Sequence, residues 1–193
     1  MKKLLITGFE PFGGETINPS WEAVFRLPEE INGYKLTKLR IPVVFGEAAE
    51  QVIAAADSLC PDAILCIGQA GGRGAVTPEL VGINLRNGRI PDNKGNQPTD
   101  EPIMADGETA YFSTLPVRKM AEAISAAGIP SHVSYSAGAY VCNDLLYTLL
   151  AYYKNSDTKV AFIHIPYSTE QGKEPAMDLP CIVQALTVAI ESI

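Results

Sequence analysis

Short apolar runs alternate along this chain with longer stretches whose apolar positions recur every three or four residues. LLITGF, LTKLRIPVV, DAILCIG, LVGINL, HVSYSA and KVAFIHI are brief and rich in branched residues, the pattern of strands. Between them, Ala49, Val52, Ile53, Ala56 and Leu59 share one face of a helix predicted over 46–59. Cys142, Leu145, Leu146, Leu149, Leu150 and Tyr153 do the same over 142–153, as do Ile182, Val183, Leu186, Ala189, Ile190 and Ile193 in the last segment. Asn18-Pro19 reads as an N-cap followed by proline at the first helical position.

Strands alternating with helices predict an α/β fold. We expect a single domain over 1–193, built as a three-layer αβα arrangement. Its twisted, largely parallel central sheet is flanked by helices. Sites in such folds lie at the carboxyl ends of strands. No repeat, low-complexity segment or linker interrupts the pattern. One stretch departs from it: residues 87–107, NGRIPDNKGNQPTDEPIMADG. A polar loop of that length points to function or to an interface arm.

Charge narrows the classes. The 193 residues carry a net charge of −7, and no cluster of Lys and Arg offers a surface for phosphates, so nucleic acid is not an expected partner. No apolar run reaches the ~20 residues that span a bilayer. The opening MKKLLITGF reads as a first strand, too short for a signal peptide. We therefore expect a cytoplasmic protein whose four cysteines, Cys60, Cys66, Cys142 and Cys181, are free thiols. They form no C-x-x-C pair, so no zinc or redox site is expected.

Cys142 stands where an apolar segment, through AGAYV, runs into a leucine-rich helix. As a packing residue it would be a small hydrophobe on the leucine face. As a chemical one it sits where unpaired N–H groups and the helix dipole stabilise a thiolate, which can lower a thiol pKa to roughly 3.5–7.5. The same N–H groups suit an oxyanion. A thiol nucleophile wants a histidine base. His164, at the carboxyl end of AFIHI, ranks above His132, at the start of SHVSYS. Glu79, in TPELVG, is either an orienting acid or a first-turn helix residue capped by Thr77.

The other cysteines read as bland. Cys66 belongs to the core and Cys60 to a loop, and Cys181 opens the last helix, where its pKa could also be lowered. Two glycine-rich loops, GFEPFGG (8–14) and GQAGGRG (68–74), match neither G-x-G-x-x-G nor a P-loop. Phe9 and Phe12 are a hydrophobic staple or the walls of a small pocket, in which Gln69 offers a donor and an acceptor.

Together these residues resemble the pyrrolidone carboxyl peptidases, or pyroglutamyl-peptidase I enzymes. The resemblance runs through LLITGFEPFGGETINPSWEAV, CIGQAGGR, TPELVGINL, RIPDNKGNQP, AYFSTLPV, SYSAGAYVCN and FIHIPY, nearly the whole chain. It implies a cysteine peptidase that removes an N-terminal pyroglutamyl residue from peptides through a thioester. Cys142 would be the nucleophile, His164 the base and Glu79 the third member of the triad. Arg89 would serve the oxyanion, and Phe9, Phe12, Gln69, Tyr140 and Val141 would line the substrate pocket. The resemblance further implies a cytoplasmic homotetramer without metal or cofactor.

Two positions depart from the family pattern. Tyr140 stands where phenylalanine is usual, and its hydroxyl needs a partner if buried. Asp144 is an acid two positions from the thiol, and it would oppose a thiolate if it faced the sulfur. Apart from the resemblance, the residues leave two rivals open. One is a Rossmann-type small-ligand binding domain. The other is a cofactor-free hydrolase or phosphorylase acting on another amide or glycoside.

Overall fold

The computed structural model describes residues 1–193. In chain order the elements are β1 (Lys2–Phe9), α1 (Pro19–Arg26), β2 (Glu30–Ile31), β3 (Tyr34–Ile41), α2 (Glu47–Leu59), β4 (Ala63–Gln69), β5 (Thr77–Glu79), β6 (Val81–Ile83), β7 (Ala110–Phe112), α3 (Val117–Ala126), α4 (Val141–Tyr152), β8 (Lys159–Ile165), β9 (Tyr167–Ser168), β10 (Ala176–Met177) and α5 (Leu179–Glu191). The central sheet has the order β2-β3-β1-β4-β8-β5. Its inner strands β3, β1, β4 and β8 run parallel. The short edges β2 and β5 run antiparallel to their neighbours.

Helices cover both faces of this sheet, so β1 and β4 are buried along most of their length, as parallel strands with two covered faces must be. Alternate side chains feed two cores. Leu4, Ile6, Leu65, Ile67 and Ile163 pack with α1, α3 and α5 on one side. Leu5, Ile64, Cys66 and Phe162 pack with α2 and α4 on the other. The Asn18 carboxamide accepts Ser20 N–H at 3.1 Å and caps α1 behind Pro19. Ser20 Oγ accepts Phe9 N–H at 2.9 Å, tying that cap to the end of β1. No helix is long and apolar enough to cross a membrane.

The tertiary structure departs from the sequence-based expectation in four places. LVGINL contributes only β6, paired with β7 outside the central sheet. HVSYSA forms no strand: it makes one isolated bridge, Ser134 with Glu79, and Ser131 just before it bridges Val76. Thr77-Pro78-Glu79 is an edge strand antiparallel to β8, not a helix start. Pro78 donates no hydrogen bond, which an edge tolerates. Helix α3, absent from the expectations, begins at Val117 behind Pro116, which offers no side-chain cap, yet buries Val117, Met120, Ala121 and Ile124. The 87–107 stretch is a loop organised around Asp92, whose carboxylate accepts from Phe45, Lys94 and Asn96 at 2.9–3.0 Å.

Candidate active site

A cavity of about 490 Å³ opens at the carboxyl ends of β4 and β8, and Cys142, His164, Gln69, Arg89, Arg73, Phe12 and Tyr140 line it. His164 is the penultimate residue of β8 and pairs in register with Gly68 of β4. Cys142 is the second residue of α4, behind Tyr140 at the cap position. Its sulfur lies over Gly68: a Cβ there would be 3.0 Å from Sγ. The thiol thus occupies the space of the side chain that Gly68 lacks, beside the strand that carries His164.

Strand β5 lays Thr77 opposite His164 and Glu79 opposite Phe162. From there Glu79 Oε1 reaches His164 Nδ1 at 2.7 Å, with both side chains buried. Burial raises the Glu79 carboxyl, but bonding and charge from His164, with help from Ser134 and Arg73, outweigh it and hold the group below its ordinary 4.5. An ionised carboxylate only accepts. His164 Nδ1 is therefore the donor, and Nε2 is left as the basic nitrogen. Burial lowers His164 from its ordinary 6.5, against the opposing pull of Glu79, so the imidazole is neutral at pH 7.

Burial also pushes the Cys142 thiol up to about 12, and the charge on Glu79 adds to the shift. Arg73 and the backbone N–H of Cys142 pull the other way without winning. This corrects the sequence-based expectation of a lowered thiol: at rest the pair is thiol and imidazole. Cys181 is likewise raised, by burial and then by Asp178. Cys66 is buried in the core, as its sequence position implies.

The predicted pocket residues divide. Phe12, Gln69, Arg89 and Tyr140 line the cavity. Phe9 and Val141 do not: each is at most 2% exposed and belongs to the core beneath it. Phe9 packs on Phe162 at 6.4 Å between centroids, and Phe162 on His164 at 4.8 Å, so Phe9 supports the base rather than forming a wall. The Tyr140 hydroxyl donates to Pro91 O at 3.0 Å, which supplies the partner it needs. Asp144 turns away from the sulfur. It pairs with Arg86 Nε at 2.5 Å and accepts Gly46 N–H at 2.8 Å. His132 lies exposed, outside the cavity.

Sequence reasoning missed Arg73. Its Nη1 donates to Glu79 Oε1 at 2.6 Å and Thr77 Oγ1 at 2.8 Å, and its Nη2 to Ser136 O at 2.9 Å. One guanidinium thus joins the strand bearing the acid to the segment leading into α4. The available signal was a lone arginine in a glycine-rich loop after a strand, GQAGGRG. Asn143 was also missed. It is fully buried and clamps β6, accepting Ile83 N–H at 2.9 Å and donating to Ile83 O and Leu85 O. No group of three His, Cys, Asp or Glu side chains is arranged to hold a metal ion.

Comparison with known proteins covers the whole chain. The family model described as pyroglutamyl peptidase matches residues 2–193. A pyrrolidone-carboxylate peptidase of Lactobacillus johnsonii is 51% identical over 99% of this chain and 92% of its own. One of Levilactobacillus brevis is 51% identical over 99% and 97%. Pyroglutamyl peptidase I of Bacillus amyloliquefaciens superposes with a TM-score of 0.95 at 45% identity, covering 100% of this chain and 96% of that one. The pyrrolidone carboxyl peptidase of Thermococcus litoralis superposes equally well at 35% identity, covering 100% and 93%. With a thiol, a carboxylate-bound imidazole and matches of this extent, the chain belongs to the pyroglutamyl peptidase family of cysteine-type hydrolases.

Proposed function

We propose that this enzyme removes an N-terminal pyroglutamyl residue from peptides, with Cys142 as nucleophile, His164 as base and acid, and Glu79 as the orienting carboxylate. The observation that carries the assignment is the 2.7 Å contact between His164 Nδ1 and Glu79 beside a cavity that Cys142 lines.

Because the resting thiol is neutral, attack and proton transfer go together. Sγ bonds to the pyroglutamyl carbonyl carbon while its proton passes to His164 Nε2. The oxyanion is held by the Cys142 backbone N–H at the start of α4 and by Arg89, which is exposed and lines the cavity. As the C–N bond breaks, the imidazolium gives its proton to the leaving amine, and a thioester remains. His164 then takes a proton from water, which attacks the thioester. Pyroglutamate leaves and the thiol regains its proton. Glu79 keeps the imidazole in one tautomer and stabilises the imidazolium.

Pyroglutamate is a neutral lactam, so its pocket needs apolar walls and a few polar groups. Phe12 and Tyr140 supply walls, and Gln69 an amide. Phe9 and Val141 support them from the core. We further propose that the chain works in the cytoplasm as a homotetramer, as the family resemblance implies.

The test is hydrolysis of a pyroglutamyl amide with a fluorogenic leaving group under reducing conditions. Wild type and Cys181→Ser are expected to cleave, and folded Cys142→Ser to lose activity. Activity that survives loss of the Cys142 thiol would end the assignment.

A further inference from the structure

Gln171 closes a short 3-10 turn, Thr169–Gln171, that follows β9. Its Oε1 accepts Ser168 N–H at 3.0 Å. A backbone N–H can only donate, so this contact fixes which end of the Gln171 amide is oxygen. The other end, Nε2, then faces two oxygens: Gln69 Oε1 at 3.0 Å and Glu15 Oε2 at 3.4 Å. Glu15 is an acceptor as well. It is ion-paired to Lys173, whose hydrogen bond holds its carboxyl below the ordinary value. A donor on one side and a carboxylate on the other thus impose the same orientation on Gln171.

That orientation passes to Gln69. Its Oε1 is taken by Gln171, so its Nε2 is the end left to the cavity that Gln69 lines. We infer that Gln171 is a specificity-determining positioning residue: it turns the Gln69 amide so that N–H donors face the ring carbonyl oxygen of a bound lactam. This rests on the pyroglutamyl reading above. It goes further by naming the group that reads the feature separating a lactam from a plain proline ring. A pocket built to hydrogen-bond a substrate group discriminates strongly against analogues lacking it. Left free to rotate, a glutamine amide would present donor or acceptor alike and lose that discrimination.

Gln171→Glu is the informative variant. One carboxylate oxygen keeps the bond to Ser168 N–H, and the other now confronts Gln69 Oε1 and the Glu15 carboxylate, which Lys173 already neutralises. Gln69 must turn its Nε2 toward the new acceptor and its oxygen into the cavity. The experiment measures KM and kcat on a fluorogenic pyroglutamyl amide, and Ki for 2-pyrrolidone. It uses wild type, Gln171→Glu, Gln171→Met, Gln69→Leu and the Gln69→Leu/Gln171→Glu double variant.

Gln171→Glu is expected to raise KM and Ki about tenfold or more, with kcat within about threefold, the effect of one hydrogen bond lost and a lone pair opposed. Gln171→Met, which keeps the chain shape without imposing the wrong dipole, shifts both the same way by less. In the Gln69→Leu background, Gln171→Glu is expected to add less than about twofold, because it acts through Gln69. Unmoved KM and Ki, a loss confined to kcat, or costs that multiply in the double variant would overturn the inference while the substrate reading stands. A folded wild type that cleaves no pyroglutamyl amide overturns both.

Discussion

The Cys142 sulfur sits where Gly68 has no side chain. A Cβ at Gly68 would stand 3.0 Å from Sγ and 2.6 Å from Phe162 Cζ, and Gly68 is the register partner of His164. Placement of the nucleophile beside the base is thus written into a strand residue that takes no part in the chemistry. Gly68→Ala is expected to overpack this junction at a cost of about 1–3 kcal/mol and to displace the sulfur. Displacement of about 1 Å can cost on the order of 10²-fold in rate. Thermal unfolding and kcat measured together are the check. A variant with both values at wild type would mean that the sulfur has another seat.

Arg73 and Glu79 push the base in opposite directions, which makes the pH profile diagnostic. His164 lies below its ordinary 6.5 because of burial. The acid limb of kcat/KM is therefore expected below pH 6.5. Arg73 helps lower His164, so Arg73→Met should move that limb to higher pH, while Arg73→Lys, which retains the charge, should leave it close to wild type. Glu79 raises His164, so Glu79→Gln should move the limb lower and reduce kcat by roughly 10³–10⁴-fold through loss of the tautomer anchor. Shifts of the same sign in Arg73→Met and Glu79→Gln would contradict this electrostatic picture. The same depression affects stability. The unfolded chain takes a proton on this histidine near 6.5 and the folded chain resists it, so stability is lost as pH falls through that value.

Asp144 serves structure. It is fully buried, paired with Arg86 and bonded to Gly46 N–H, and so fastens the first turn of α4 to the loop that precedes α2. Asp144→Ala leaves Arg86 and that N–H without their acceptor and is expected to cost about 1–3 kcal/mol. Asp144→Asn, which keeps an acceptor for Gly46, should cost less and leave kcat/KM within a few fold. Urea unfolding midpoints with kinetics decide it. A large gain in thiol reactivity in Asp144→Asn would show instead that the acid acts on the sulfur.

Much of this was legible in the order of residues. The apolar runs of β1, β4 and β8 and the periodic faces of α2, α4 and α5 are local signals. Burial on two faces, or on one stripe, demands them of any sequence that adopts those elements. Cys142 and His164 were legible as candidates because each closes or follows a strand pattern. The raised Cys142 pKa was not: a helix start is a local signal, whereas the burial that raises the thiol comes from elements far along the chain. On local sequence Glu79 reads as a first-turn helix residue, since Thr-Pro-Glu is a good helix start, and only the family resemblance outweighs that reading. Only pairing with β8 made it a strand. Helix α3 escaped notice because no capping side chain precedes it.

By itself, then, the sequence determined the alternation of strands and helices, the two-faced burial of the sheet, the candidate thiol and base, and the family. The resemblance named Glu79, but only the tertiary structure shows how its carboxylate meets His164, from 85 residues away. It alone seated the Cys142 sulfur over Gly68, moved Phe9 and Val141 beneath the cavity, and brought Arg73 to Glu79 and Gln171 to Gln69. The physical reason is range. Periodicity and capping are properties of a few neighbouring residues. Hydrogen bonds between side chains of different elements depend on strand order and register, which are set by how all the apolar faces pack at once.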